Sequence, residues 1–272
     1  MALQIASLNS GSNGNCYYIG TGVEAVLIDV GISCRETEKR MRSLGLSMKT
    51  VKAIFVSHEH TDHISGVSTL ANKYNLPVYI TADTAKNGPR LISHLSKPFK
   101  ANVPVPIGSL TVTPFTKPHD AIDPHSFIIS HDGVTVGVFT DIGNPCEEVM
   151  RHFAQCHGAF LEANYDEDML ENGRYPTHLK QRISSDQGHL SNKQALELFN
   201  RHRPAFMTHL LLSHLSKDNN DPLLVKNIFT NEADIEIIIA SRYEPSGVYI
   251  IQGPQEKRQP SGLTTFQLNL FK

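Results

Sequence analysis

Four side chains that commonly bind metal ions fall within six consecutive positions of the sequence. In the segment SHEHTDH they are His58, His60, Asp62 and His63. One helix face cannot present all of them, since side chains at i and i+2 point apart there. The segment fits the exit of a strand into a loop, where His58 and His60 share one direction because strand side chains alternate.

This crowding predicts two metal ions rather than one. A catalytic Zn²⁺ typically takes three protein ligands and keeps a fourth position open. We therefore expect His58 and His60 to bind one ion, and Asp62 and His63 to bind another. The alternative is a polar surface loop that is rich in His by chance, and the density and spacing of the four residues favour the metal site.

The elements around this segment indicate the fold class. The apolar run VKAIFVS leads into it and is typical of a buried strand, and similar runs alternate with helical periodicity in both halves of the chain. Two strand-rich halves predict an α/β protein with two mixed sheets face to face and helices outside, a four-layer α/β/β/α sandwich. We expect one domain spanning 1–272, with the polar stretch 165–192 as a functional loop.

Composition limits the partners. The formal net charge of −2, with His neutral, gives no global basic field, so nucleic acid binding needs a local patch or a metal centre. No apolar stretch is long enough to span a bilayer, so no membrane partner is expected. The N-terminal residues do not resemble a signal peptide, and the four cysteines form no CxxC pair. We expect reduced thiols and a cytoplasmic location.

The H-x-H-x-D-H pattern after an apolar strand resembles the signature of the metallo-β-lactamase fold superfamily. The resemblance extends to LIDVG, TKPHD, VFTDIG and LLLSHLS and covers most of the chain. It implies that Asp29 supports the ligand loop and that Asp141 bridges two metals. The seven implied metal ligands are His58, His60, Asp62, His63, His119, Asp141 and His214.

Two of these ligands have rivals in the sequence. The pentapeptide SHLSK occurs twice, with His94 in the first copy and His214 in the second. The first copy lies on a helical pattern, so His94 is expected at the surface, whereas His214 ends an apolar strand, where functional sites gather. His209 is the rival on that strand. His125 would replace His119 as a ligand, and otherwise His125 and His131 are expected in turns that flank the strand SFIIS.

Two cations held in this way would catalyse hydrolysis. They lower the pKa of a bridging water, polarise a substrate oxygen and orient both. The ligands suit Zn²⁺, and Mn²⁺, Fe and Ni²⁺ also fit. The metal site alone does not choose among phosphodiesters, amides, thioesters and lactones.

The segments LEANYD and GHLSNKQA resemble elements that stand beside the metals in nuclease members of the superfamily. His189 is the candidate to protonate the leaving oxygen, and Glu162 to hold the other ring nitrogen of His189. The plainer alternatives are a structural hydrogen bond for His189 at a helix start and a surface carboxylate for Glu162. Together with Asp62, these are the candidate catalytic residues.

Two features could bind the phosphates of a substrate. The turn NSGSNGNC can aim backbone N–H groups and hydroxyls at an anion, although a plain hairpin turn would use the same residues for positive φ. Its candidate phosphate contacts are Ser10, Ser12, Asn13 and Asn15. The second feature is a basic stretch with Arg174, Lys180 and Arg182, although a charge run is usually a solvated face.

The segments SGSNGNC, HEHTDH, RYPTHLKQRISSDQGHLSN and SHLSKDNN together resemble the YycJ/WalJ subfamily of this fold. That resemblance implies an exonuclease with DNA as its substrate, acting from a 5′ end. A small-molecule hydrolase (a thioesterase, lactonase or cyclic phosphodiesterase) would share every ligand and differ in its loops. A non-catalytic binding module would be expected to have lost ligands. The sequence leaves the oligomeric state open.

Overall fold

Two seven-stranded sheets form the centre of the computed structural model, which describes residues 2–229 and 235–253. The first contains β1 (Ala2–Asn9), β2 (Cys16–Gly20), β3 (Ala25–Ile28), β4 (Val51–Phe55), β5 (Val78–Tyr79), β6 (Ser96–Lys97) and β14 (Tyr249–Gln252). The second contains β7 (Val105–Ile107), β8 (Leu110–Thr116), β9 (His125–His131), β10 (Val134–Phe139), β11 (Gly158–Glu162), β12 (His209–Ser213) and β13 (Glu236–Ile239). The strand orders are β14-β1-β2-β3-β4-β5-β6 and β13-β12-β11-β10-β9-β8-β7.

Helices connect these strands. They are α1 (Cys34–Ser43), α2 (Thr61–Ile64), α3 (Val67–Tyr74), α4 (Ala82–Asn87), α5 (Glu147–Phe153), α6 (Glu167–Asn172), α7 (Thr177–Ile183), α8 (Asn192–His202) and α9 (Pro222–Ile228). Local sequence defines their starts: α8, for example, begins with a capping box between Ser191 and Gln194. No helix within the described ranges is long and apolar enough to cross a membrane.

Three buried apolar clusters define the layers. The central cluster lies between the sheets and joins Phe55 of the first sheet to Phe127 and Phe160 of the second. A second cluster packs the outer face of the first sheet against α1 and α3, and includes Met41. A third packs the second sheet against α5, α8 and α9, and includes Phe199. The predicted four-layer α/β/β/α sandwich is confirmed.

Parallel strands bring the candidate site together. β3 and β4 are parallel, as are β10, β11 and β12, so within each sheet these strands end at the same edge. Asp29 follows β3 directly and His214 follows β12 directly, while Asp141 comes two residues after β10. Ligands commonly bind at the carboxyl ends of strands in α/β folds, and this edge holds the predicted metal-binding side chains.

The polar stretch 165–192 is not the continuous loop that composition suggested. It contains the short helices α6 and α7, and the side chain of Asp166 caps α6 by accepting from the Met169 amide. α7 buries none of its residues. Its only apolar side chains are Leu179 and Ile183, which are half-buried, and a single pair is too short a pattern to predict a helix.

The secondary structure predicted for three histidines was also wrong. His94 lies in a turn just before β6 rather than on a helix, because α4 ends before Gly88 and Pro89. His125 and His131 are the end residues of β9 rather than turn residues, and His125 pairs with Thr116 of β8. The strand extends through both histidines because His125 pairs with β8 and His131 pairs with Val134 of β10.

Candidate metal centre

The first group of potential ligands consists of His58, His60 and His119, whose ligand atoms lie within 4.8 Å of one another. The first two follow β4 and the third follows β8, so the group joins the two sheets. The Nε2 atoms of His58 and His119 are buried and have no hydrogen-bond partner in the part of the chain that the structure describes. Buried polar atoms normally have a partner, so these nitrogens fit metal ligands.

The second group consists of Asp62, His63 and His214, with the same spacing of ligand atoms. Asp62 and His63 lie in α2, and His214 lies at the end of β12. The Asp62 Oδ2 atom is 3.5 Å from His63 Nε2 and 3.6 Å from His214 Nε2. His214 Nε2 is a further buried nitrogen without a hydrogen-bond partner among the described residues.

Asp141 lies between the two groups. Its Oδ2 atom is 3.2 Å from His63 Nε2, and its Oδ1 atom is 3.9 Å from His119 Nε2. It also forms a potential ligand group with His58 and His63. The Oδ1 atom also lies 3.2 Å from His214 Nδ1, so this buried carboxylate contacts the second group through both oxygens and approaches the first through Oδ1, which suits a ligand shared by the two groups.

Hydrogen bonds on the opposite ring nitrogens orient these imidazoles. His63 Nδ1 lies 2.7 Å from Asp29 Oδ2, and His119 Nδ1 lies 2.9 Å from the Gly188 carbonyl. Because these oxygens accept, each Nδ1 carries a proton and leaves the lone pair on Nε2. Asp29 also accepts from the amide and hydroxyl of Ser57, at 2.8 and 2.7 Å. It supports the ligand loop, as predicted.

Glu162 is a buried carboxylate at the end of β11, not the surface group of the alternative interpretation. Its Oε1 atom is 2.7 Å from His189 Nδ1 and 2.9 Å from His214 Nδ1, and its Oε2 accepts from the Ile142 amide at 2.7 Å. The His189 ring lies 5.2 Å, centroid to centroid, from the rings of both His119 and His214. It therefore lies next to both ligand groups.

Strong electrostatic coupling accompanies this packing. Burial opposes a charge on His214, yet the surrounding carboxylates, Asp141 foremost, raise its pKa to about 10. Burial lowers the pKa of His119 to about 4. Burial alone would raise the pKa of Glu162, but the neighbouring histidines lower it to about 2. The carboxylates are thus held in their charged form, which suits cations.

Three residues of the site adopt the left-handed backbone conformation that is uncommon outside glycine. They are Asp29 (φ 58°), Asp141 (φ 54°) and His214 (φ 56°). Each lies within two residues of a strand end. Such conformations are concentrated at functional sites, where the surrounding structure maintains them. Here they turn the chain at the edge where the ligands meet.

Close backbone contact also fixes the second ligand group. A Cβ atom on Gly31 would lie 1.6 Å from the Asp62 carbonyl oxygen, so only glycine fits there. The Asn15 amide donates to the same oxygen at 2.7 Å, and Asn15 Nδ2 donates to Asp62 Oδ2 at 3.1 Å. Asn15, predicted to contact phosphate, is therefore buried against the ligands.

The other candidate phosphate contacts differ in their positions. Ser10 is buried, and its hydroxyl accepts from the His214 amide at 2.7 Å. Ser12 and Asn13 are exposed at the tip of the turn. Ser12 accepts a hydrogen bond from Arg242 Nη2 at 2.9 Å. Only Ser12 and Asn13 are therefore open to a substrate without rearrangement.

Two basic side chains of α7, Arg182 and Lys180, lie in different surroundings. Arg182 Nε is paired with Asp120 Oδ2, and Asp120 Oδ1 lies 3.4 Å from His119 Nε2. Lys180 instead donates to the Glu171 carbonyl and lines a separate surface pocket. The structure thus places Arg182 beside the metal centre and Lys180 away from it.

The rival histidines lie outside both ligand groups. His94 is exposed, and His209 begins β12, at the opposite end of the strand from His214. His125 is buried with Nδ1 2.9 Å from the Asp123 carbonyl. His214, which belongs to the second copy of SHLSK, is therefore the histidine that lies with the other predicted ligands.

Sequence reasoning missed Lys117. This lysine is buried and donates to the Thr140 carbonyl at 2.6 Å. Burial lowers the pKa of Lys117, while Asp141 opposes that shift. The signal was a lysine that directly follows the apolar strand β8, two residues before His119. Its charge offsets part of the negative charge of the cluster.

The fold and the clustered ligands define a class of protein. Residues 24–214 match the family model described as the β-lactamase superfamily domain, and the chain belongs to that family. It is 34% identical to exodeoxyribonuclease YycJ of Bacillus anthracis, over 81% of this chain and 85% of the relative. It is 31% identical to exodeoxyribonuclease WalJ of Streptococcus pneumoniae, over 83% of this chain and 86% of the relative. The predicted resemblance is confirmed.

A solved structure shows the same architecture. The metallo-β-lactamase fold protein YhfI from Bacillus subtilis matches with a TM-score of 0.67 at 17% identity, over 90% of this chain and 99% of that protein. At this identity the likeness concerns the fold alone. It agrees with the two-sheet sandwich described above.

Proposed function

We propose that this protein is a metal-dependent exonuclease that hydrolyses phosphodiester bonds in DNA. The observation that carries the proposal is the pair of ligand groups joined by Asp141. The exodeoxyribonuclease relatives, at 34% and 31% identity, support DNA as the substrate. A 5′ end is the proposed starting point, and the cytoplasm is the proposed location.

Two divalent cations are the proposed cofactors. His58, His60 and His119 would hold the first, and Asp62, His63 and His214 the second, with Asp141 on both. The buried Nε2 atoms without hydrogen bonds support this assignment. Nitrogen and carboxylate ligands suit Zn²⁺ or Mn²⁺, and Fe or Ni²⁺ also fit. When bound, such ions polarise the scissile phosphate and activate the attacking water.

His189 is the proposed general acid. Its contact with Glu162 through Nδ1 orients the ring and leaves Nε2 to donate a proton to the leaving oxygen. Asp62 is the most exposed ligand of its group, with 22% of its side chain accessible, against 3% for His214. We therefore propose that Asp62 accepts the proton from the attacking water.

Exposed polar groups around the centre are the proposed contacts to the DNA backbone. Arg182 lies beside the first ligand group through its pair with Asp120. Ser12 and Asn13 lie beside the second, on the turn that also carries Ser10. Lys180 would contact more distant phosphates from the other side of α7.

Incubation with labelled DNA tests this function. Metal-loaded protein is expected to shorten end-labelled single- and double-stranded DNA stepwise, with a rate that depends on the phosphate at the 5′ end. Chromogenic carboxylic esters, thioesters and lactones serve as competing substrates. Rapid hydrolysis of one of these, with intact DNA, would show a small-molecule hydrolase instead.

A further inference from the structure

A cavity of about 230 Å³ adjoins the second ligand group. Ser10 lies in its wall, and the Ser10 hydroxyl accepts from the His214 amide at 2.7 Å. Leu215, the residue after His214, lies in the wall as well. The cavity contains none of the predicted ligands, so it is a separate compartment next to the metal centre.

An apolar wall and an exposed aromatic ring characterise this cavity. Leu215, Pro222 and Ile239 line it, and Tyr243 stands at its edge with 72% of its surface exposed. A large aromatic side chain in that position is available to stack on a planar ligand. Aromatic side chains that bind single-stranded nucleic acid act in this way, because every base has a π-face.

The backbone that carries this aromatic ring is fixed. Arg40 is a buried side chain, and its Nη2 atom donates to the Tyr243 carbonyl at 2.9 Å. Asn13 Nδ2 donates to the Arg242 carbonyl at 2.9 Å, and the Ser10 amide donates to the Ser241 carbonyl at 3.2 Å. The ring is thus exposed on a rigid segment, which reduces the entropy lost on binding.

Two cations line the same cavity. They are Lys217 and Arg242. The Arg242 Nε atom is buried and makes no hydrogen bond with any described residue, while its Nη2 donates to Ser12. The nearby carboxylate of Asp218 already accepts from the Tyr175 hydroxyl at 3.0 Å. The half-buried Arg242 guanidinium thus keeps one donor free to pair with an anionic ligand.

We propose that this cavity binds the nucleotide next to the cleaved bond, with its base against Tyr243 and the apolar wall and its phosphate beside Lys217 and Arg242. The proposal rests on the proposed nuclease function. The cavity is smaller than the roughly 300–1,000 Å³ of pockets for drug-sized ligands, which suits a single base. Its position next to His214 would place the adjoining phosphodiester at the metals.

Binding of a mononucleotide tests the cavity without catalysis. Calorimetric titrations of metal-loaded protein would compare deoxyadenosine monophosphate with deoxyribose 5-phosphate, which lacks the base. We expect Tyr243→Ala to weaken binding of the nucleotide by about tenfold and to leave binding of the sugar phosphate unchanged. Arg242→Gln should weaken both. Phe206→Ala, which removes an aromatic side chain that is 42% exposed outside the cavity, is the control.

Kinetics separate this proposal from the nuclease assignment. Tyr243→Ala should raise KM for an oligonucleotide by a similar factor of about ten, with kcat unchanged, because the ring is proposed to hold the base and to touch no reacting atom. Nucleotide affinities equal to the parent in both variants would overturn the cavity assignment even if DNA is degraded. Intact DNA together with the expected nucleotide affinities would instead overturn the proposed exonuclease and retain the nucleotide site.

Discussion

Asp141 is the residue on which both ligand groups depend. Its two oxygens face His63 and His119, which belong to different groups. Asp141→Ala should therefore remove most bound metal and abolish DNA hydrolysis together, as measured by elemental analysis and an exonuclease assay. His94→Ala, in the other copy of SHLSK, should change neither. Equal losses in the two variants would show that the metal centre has been misplaced.

His189 should behave differently, because it is proposed to move a proton rather than to hold a metal. His189→Ala is expected to keep its metals and to slow DNA hydrolysis by roughly 10²–10⁴-fold, as for a lost general acid. The loss should shrink on a p-nitrophenyl phosphodiester, whose leaving group needs little protonation. Loss of metal from this variant would make His189 a ligand, consistent with its place near Asp141 and His214.

The spacing of the first four ligands and the family resemblance for the other three predicted which side chains would meet, but not how they are supported. The ligands were predictable because each follows an apolar strand, and parallel strands end at a common edge. The burial of Glu162 was not predictable, since a Glu at a strand end is usually solvated. Its partners His189 and His214 lie 27 and 52 residues away, so only the tertiary fold shows that they share it.

At the scale of elements, α7 is the proposed contact to DNA. Each neutralised phosphate contributes about −0.9 to the slope of log K against log salt on duplex DNA, and about −0.7 on single strands. Arg182→Ala should flatten that slope by about one such contribution, because Arg182 lies beside the metal centre. Binding assays at several salt concentrations measure this.

Lys180→Ala is the comparison, with a smaller expected effect because Lys180 lines a separate surface pocket that none of the candidate metal ligands lines. Hydrolysis of a small phosphodiester should not change in either variant. If a variant with both Lys180→Ala and Arg182→Ala binds DNA with the affinity and salt dependence of the parent protein, α7 is not the nucleic-acid contact. The sequence showed that both residues are basic. It did not show that the Arg182 side chain contacts Asp120 while the Lys180 side chain contacts α6, because both contacts depend on tertiary packing.

Short elements were the least predictable. β6 and β5 are two-residue strands whose pairing with each other depends on the sheet rather than on their own residues. α6 buries only Leu170, and α7 has only the half-buried pair Leu179 and Ile183, which is too little for a periodic pattern. By contrast, the longer strands and α1, α3 and α8 were predictable, because a continuous or periodic apolar face leaves a clear signal.

For the whole molecule, the metals would connect the two sheets. The first four predicted ligands follow β4 of one sheet, whereas His119, Asp141 and His214 follow strands of the other. An ion at 100 times its dissociation constant stabilises the folded state by about 2.7 kcal/mol. For a protein of this size that corresponds to a change in Tm of about 5–10 °C.

Removal of the bound metal by a chelator should therefore lower Tm by about 5–10 °C, as measured by calorimetry. Re-addition of metal should restore the parental Tm. Asp141→Ala should show no further decrease on chelation, since it already lacks its metals. A parental Tm that does not respond to chelator would mean that the ions do not hold the two sheets together.

The segment from Arg182 of α7 to Gly188 takes part in both halves of the proposed reaction. Its Gly188 carbonyl accepts from His119 Nδ1, and Arg182 is paired with Asp120 next to that ligand. A shift of this segment on DNA binding would change the affinity for an ion held by His119, because the Gly188 carbonyl orients that imidazole. Thermodynamic reciprocity then requires that the ion changes the affinity for DNA by the same factor. The metal concentration that half-saturates the protein should consequently differ between DNA-free and DNA-bound samples, and the ratio gives the coupling directly.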